Sequence, residues 1–235
     1  MAGPVNERSP RLADNRAGTQ EKGLRGGGGI GTKPSVAPQG FTMSDEMPTR
    51  QAAGPFFSQK LVSHPDFPST AIQGVTVHGI LLRDGMINLR YRVDGHESLL
   101  VPEFGGKGRA DELWRTTCFE LYLQPPATTG YAEFNFSPSQ RWAAYDFEDY
   151  RAGMRERPVG HEPVCEIAEG ERFFVLDVRM SPVGLPEGPW QVGLSAILEE
   201  RGGAKSYWAL AHAPGKPDFH HPIGFALALE APVAA

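Results

Sequence analysis

The sequence is defined first by what it lacks. Among its 235 residues no apolar run approaches the roughly 20 needed to span a bilayer. The N-terminus has no apolar core of the kind that marks a secretory signal. These absences lead to an expectation of a cytoplasmic protein with no membrane partner. There are only two cysteines, Cys118 and Cys165. They could pair, but a reducing cytoplasm favours two free thiols. Basic charge is not in excess either. The formal net charge is −5, and a nucleic-acid phosphate backbone would call for a basic stripe, so no nucleic-acid partner is expected. No 10-residue helical pattern appears, and 28 glycines with 21 prolines disfavour long helices.

Several catalytic signatures are missing as well. There is no G-x-S-x-G elbow for a serine nucleophile. There is no G-x-G-x-x-G between a strand and a helix. The GGGGIG run at 26–31 is not followed by the lysine and serine or threonine of a phosphate loop. Residues 1–55 offer neither helical nor strand periodicity and very few aromatics, so they cannot offset their ordering entropy. They are expected to be a disordered tail, with a start at Met43 or Met47 as the alternative.

What remains is strand-like. The segment 71–93 reads as two strands, 71–82 and 86–93, around Arg83-Asp84-Gly85, a strong hairpin signal. The stretch 111–154 holds two of the four tryptophans and four of the six tyrosines. It reads as three strands, 118–123, 131–136 and 141–147, forming a meander. Phe119, Leu121, Phe134 and Phe136 alternate toward a core, while Glu120, Tyr122, Tyr131, Glu133 and Asn135 take the other side. Further strands are expected at 163–167, 172–180, 190–198, 206–212 and 223–229. The texture predicts an all-β, two-sheet antiparallel sandwich, jelly-roll-like, over residues 56–232.

The chemistry-bearing residues concentrate in the meander. Paired carboxylates such as Glu120 and Glu133 suit glycoside hydrolysis. A cross-strand ion pair of one of them with Arg115, Arg141 or Arg90 is the reading favoured over catalysis. A third role fits better than catalysis. Carboxylates and Asn135 can bond sugar hydroxyls, with an aromatic platform against the apolar faces of the ring. Trp114 and Trp142 are the stacking candidates and Trp208 the third; Trp190 is assigned to the core. In the 212–221 loop, Asp218, His220, His221 and His212 could hold a divalent metal. The spacing matches no zinc pattern, so the loop is read as packing, with Phe219 inside and its histidines bonded to backbone. Haem would need an axial His, Met or Cys, for which His78, Met86, Met154 and the loop histidines are nominal candidates; without Cys-x-x-Cys-His only non-covalent haem is open.

Three blocks taken together carry a resemblance: LWRTTCFELYL, YAEFNFSPSQRWAAYDFEDYRAGM and SYWALAHAPGKPDFHHPIGFALAL. From His64-Pro65 to Leu229 the chain resembles the bacterial DOMON-like domain proteins, a mostly uncharacterised family similar to family-9 carbohydrate-binding modules. One subgroup is associated with the cell-wall enzyme UDP-N-acetylenolpyruvoylglucosamine reductase. The resemblance implies a β-sandwich whose concave face binds a sugar or, in other branches, a haem. It maps family positions onto Trp114, Glu120, Glu133 and Asn135. The expected function is a non-catalytic domain binding a carbohydrate or similar small polar ligand through Trp114, Arg115, Glu120, Glu133, Asn135, Trp142 and Trp208. The alternatives are a non-covalent haem-binding redox domain and a glycosidase using Glu120 and Glu133.

Overall fold

The computed structural model describes residues 55–230. The expected tail, with Met43 and Met47, lies outside the described residues except for Pro55. Thirteen strands follow in order: β1 (Pro55–Ser63), β2 (Gly74–Leu81), β3 (Ile87–Asp94), β4 (Gly108–Arg109), β5 (Cys118–Gln124), β6 (Tyr131–Phe136) and β7 (Arg141–Phe147), then β8 (Arg155–Glu156), β9 (Val164–Glu169), β10 (Phe173–Met180), β11 (Trp190–Glu199), β12 (Lys205–Ala209) and β13 (Leu227–Leu229). Two single 3-10 turns, Leu113–Arg115 and Pro222–Gly224, interrupt them. Among the described residues there is no α-helix, and no helix long and apolar enough to cross a membrane.

The all-β expectation holds for these residues, but the arrangement differs from two separate antiparallel sheets. The strands form one curled, mixed sheet in the order β4-β7-β6-β5-β11-β12-β1-β2-β3-β10-β9, with β13 on β11 and β8 on β7. The physical reason is β1. Its residues up to Leu61 pair with β2, whereas Val62 and Ser63 pair with Ala209 and Trp208 of β12. One strand therefore belongs to both halves and no break separates them. The β4–β7 pairing is parallel.

Curling brings distant strands face to face. Phe119 of β5 stacks on Phe174 of β10 at 6.3 Å between centroids, although six strand-to-strand steps separate them along the sheet. The Tyr91 hydroxyl of β3 donates to the Glu120 carbonyl of β5 at 2.9 Å. Between the halves lies one apolar core that includes Phe119, Leu121, Phe134 and Phe136, the alternating set of the meander. The β5-β6-β7 meander is antiparallel and in register, with Phe119 opposite Phe136 and Phe136 opposite Trp142. The hairpin at Asp84-Gly85 also forms. Gly85 takes φ 78°, a left-handed value that glycine adopts without steric cost, and Asp84 Oδ1 accepts from the Met86 amide.

A buried carboxylate pins the end of the β11–β12 hairpin to two loops. Glu200 accepts from the Ser69 hydroxyl at 2.7 Å, the Thr70 amide at 3.0 Å, the Thr70 hydroxyl and the Ser98 hydroxyl at 3.1 Å. Burial alone would raise its pKa, but these four donors outweigh it and hold the carboxyl below its ordinary value. Glu200→Ala leaves several donors without an acceptor. It is expected to lower unfolding stability by about 2–4 kcal/mol, read as a lower denaturant midpoint at unchanged m, with Glu200→Gln losing less. Equal midpoints for wild type and Glu200→Ala would remove the pinning role.

Candidate functional site

The strand register decides which side chains share a face. Glu120 on β5 lies opposite Asn135 on β6 and Ser195 on β11. Tyr122 lies opposite Glu133 and Gly193, and Glu133 opposite Tyr145 on β7. Glu120 and Glu133 are thus diagonal neighbours on the face turned away from the core. The alternation read from the sequence is correct, and it brings Glu120, Glu133 and Asn135 together.

These groups bond mainly to one another. Tyr122 and Ser195 hydroxyls donate to Glu120 Oε2 at 2.8 and 2.7 Å. Asn135 Nδ2 donates to Glu133 Oε1 at 2.7 Å. The Cys118 thiol lies 3.8 Å from Asn135 Oδ1. None is open to solvent: Glu120 is 2% exposed, Asn135 3% and Glu133 6%. The side opposite the core is therefore not a solvent face. Every residue of β6, and every residue of β5 before Gln124, is buried, so both faces are covered.

The cover is the segment 218–225. The His220 ring meets Phe147 at 5.1 Å, Tyr122 at 5.5 Å and Tyr131 at 5.8 Å. Phe225 meets Tyr122 and Tyr131. His220 Nδ1 is 2.7 Å from the Tyr131 hydroxyl, and Nε2 is 3.8 Å from Glu133 Oε2. Gly193 makes the close approach possible: a Cβ there would lie 3.1 Å from Tyr122 Cβ and 3.5 Å from the Gly224 carbonyl oxygen. Asp218 ties the segment to the chain after β7, accepting from Arg151 at 2.8 Å and from the Tyr150 hydroxyl at 2.5 Å. The loop packs as expected, but His220 differs from the expected backbone-bonded histidine: its ring meets the Tyr131 and Glu133 side chains. His221 accepts from the Ile223 amide, His212 Nε2 lies 2.9 Å from the Val62 carbonyl, and Phe219 packs near Tyr207 and His212. Among the described residues no group of three or more His, Cys, Asp or Glu side chains is placed to hold a metal ion.

Burial controls the protonation of this cluster. It raises Glu133 to about 8, with the Glu120 charge adding to the effect and the Asn135 bond and Arg151 opposing it. It also raises Glu120, against the bonds from Ser195 and Tyr122. His220 is lowered to about 4 by burial and then by Arg151. Near neutral pH the His220–Glu133 contact therefore joins two uncharged groups and is not an ion pair.

The tryptophans divide. Trp114 is 52% exposed on the turn Leu113–Arg115, which packs against β5, β6 and β7. Arg115 bonds Glu112 at 2.6 Å and stands 5.4 Å from the Trp114 ring centroid. Just before the turn, Asp111 accepts from the Tyr145 hydroxyl at 2.5 Å, which links the turn to the polar face. Neither Trp114 nor Arg115 bonds Glu120, Glu133 or Asn135. Trp142 and Trp208 are placed differently from the stacking role expected of them. Both are buried in the core, Trp142 under the Arg109 guanidinium at 4.8 Å and Trp208 with Nε1 donating to Ser206. Trp190 is a core residue, as expected. Residues of the cluster absent from the predicted site are Tyr122, Tyr131, Tyr145, Arg151, Ser195, Asp218 and His220. Alternation from Glu120 points to Tyr122; nothing local points to Ser195 inside the apolar run of β11.

No protein-family model matches the chain, and no curated protein matches it. Among solved structures it is similar to a provisionally named carbohydrate-binding protein from Bacteroides uniformis, at 17% identity over 74% of this chain and 86% of that chain, with a TM-score of 0.49. At that level the likeness assigns no residue and no ligand.

The titration of the cluster is testable. A carboxyl whose folded pKa exceeds its unfolded value stabilises fully below the unfolded value and loses that contribution as pH rises toward the folded one. For Glu133 the window runs from its ordinary 4.5 to about 8. For His220, lowered from 6.5 to about 4, stability is lost as pH falls through that range. Melting temperature against pH is expected to flatten on the alkaline side in Glu133→Gln and on the acid side in His220→Gln. Curves parallel to wild type in both variants would show that neither group titrates in these windows.

Proposed function

We propose that this protein is a non-catalytic binding domain for a carbohydrate or a similarly small, hydroxyl-rich ligand. The proposed site is the β5-β6-β7-β11 face carrying Glu120, Glu133 and Asn135, with Trp114 and Arg115 at its rim. The observation that carries this reading is the convergence of these groups with Tyr122, Tyr145 and Ser195 on one sheet face. A carboxyl that keeps its proton near neutral pH both donates and accepts hydrogen bonds, as sugar hydroxyls do. Trp114 supplies the half-exposed aromatic surface that stacking on a pyranose requires. Access requires displacement of segment 218–225, because Glu120, Asn135 and Glu133 are only 2%, 3% and 6% exposed beneath it. The segment is held by the Arg151–Asp218 pair, by the Tyr150 hydroxyl on Asp218 and by the packing of His220 and Phe225 on Tyr122 and Tyr131. This is the role that the resemblance to DOMON-like domains and family-9 modules implies.

The chemistry of the pair favours binding over hydrolysis. A retaining glycosidase needs one ionised carboxylate beside one protonated carboxyl. Here each carboxyl is instead engaged by its neighbours, Glu120 by Tyr122 and Ser195 and Glu133 by Asn135, and neither is paired with Arg90, Arg115 or Arg141 or aimed at an open cleft between the two.

The test is calorimetric titration and a glycan array on the full chain, with N-acetylglucosamine and UDP-N-acetylglucosamine among the ligands. Saturable binding is expected, weakened about tenfold by Trp114→Ala, the scale of one aromatic contact. Chromogenic glycosides are expected to go unturned. Absence of binding on the array and in calorimetry rejects the reading, and turnover abolished by Glu120→Gln or Glu133→Gln replaces it with hydrolysis.

A further inference from the structure

On the opposite half of the sheet, away from this face, lies an open groove of about 470 Å³ lined by Lys60, Gln73, Gly74, Thr76, Arg92, Asp94 and Arg172. Lys60, Thr76 and Arg92 are cross-strand neighbours on β1, β2 and β3. They alternate with Leu61, Val75, Val77, Tyr91 and Val93, which face the core, so the groove is on the outer surface. Gly74 is part of its lining, and a Cβ there would meet nothing within 4 Å.

The charge of this groove runs against that of the chain. Three cations line it and one carboxylate, Asp94, which is already bonded to Arg92 at 2.8 and 2.9 Å. Lys60 and Arg172 have no carboxylate within ion-pair distance among the described residues. Elsewhere on the same surface the arginines are matched, Arg90 by Asp177 and Arg179 by Asp84. Lys60 and Arg172 thus place two cations without a carboxylate partner beside Arg92 at one spot on the outer surface, in a protein of net charge −5. Arg92 is also held in place, with its guanidinium 4.0 Å above the Phe173 ring and bonded to Asp94. A fixed guanidinium flanked by free cations is suited to an oxyanion, because little side-chain freedom is lost on binding. Gln73 and Thr76 add neutral donors and acceptors beside it. The volume fits one small molecule, within the roughly 300–1,000 Å³ of ligand sites. A single basic spot without a stripe does not track a nucleic-acid backbone.

We propose that this groove is a second binding site, for a small hydroxylated oxyanion such as a sugar phosphate or a sugar acid. The anion sits between Lys60, Arg92 and Arg172, and its hydroxyls meet Gln73 and Thr76. The site is independent of the Glu120–Glu133 face.

Titration of the full chain with glucose 6-phosphate, glucuronate and glucose, followed by amide chemical shifts and calorimetry, tests this. One or both anions are expected to bind saturably, more weakly as salt rises, while glucose leaves the groove amides unmoved. Lys60→Ala and Arg172→Ala are each expected to weaken anion binding about tenfold, the scale of one charge-assisted hydrogen bond. Trp114→Ala leaves anion binding unchanged, which separates this site from the face proposed above. Both substituted side chains are exposed, so an unchanged melting temperature verifies the fold of the double variant. The proposal is overturned if neither anion binds, or if anion affinity is the same in the Lys60→Ala/Arg172→Ala double variant.

Discussion

The central strands are buried on both faces, and most of the structure answers to that constraint. A strand with one wet face can leave polar side chains to water. From Cys118 to Leu123 and from Tyr131 to Phe136 no residue has that option. On the core side the solution is apolar packing across the curled sheet. On the other side polar groups must find partners or cost about 1–3 kcal/mol each. The observed pairing of Tyr122 and Ser195 with Glu120, and of Asn135 with Glu133, meets that requirement. The cover is aromatic where it lies over Tyr122 and Tyr131, and it brings His220 where Glu133 needs a neighbour. The raised carboxyl pKa values and the lowered histidine pKa are consequences of the same burial.

Alternation made the meander legible. β6 and β7 begin and end where the period of two places them, and the apolar set of β5 and β6 is the core set. The hairpin at Asp84-Gly85 was equally plain because its turn chemistry is local. β1 was not legible: Ser58, Gln59 and Lys60 dilute its pattern, and its importance lies in pairing with two partners far along the chain. The site was half legible. Alternation says that Glu120 and Phe119 point opposite ways; it cannot say what lies above Glu120. The answer is a segment some hundred residues further on. For β7 both alternating sets contain aromatics, so nothing in the pattern marks Trp142 as the inward one. Its register opposite Phe136 decides that, and register is a property of the sheet.

Backbone strain offers a separate view of where the polar face meets solvent. Four non-glycine residues among those described take left-handed φ values: Glu112, Ala127, Gln140 and Arg151. Gln140 serves the tight β6–β7 turn and Ala127 lies in the loop after Pro125-Pro126. The other two stand beside the candidate site. Glu112, at φ 56°, turns the chain into the segment that presents Trp114 and bonds Arg115. Arg151, at φ 51°, places its guanidinium on Asp218 of the covering segment. Such conformations cost of order 1–3 kcal/mol and persist where surrounding contacts impose them. Arg151 lies in the reverse turn closed between Asp149 and Ala152, and its amide donates to the Tyr131 hydroxyl. The two left-handed residues thus shape the loops that border the polar face, Glu112 ahead of Trp114 and Arg151 where the chain after β7 meets Asp218.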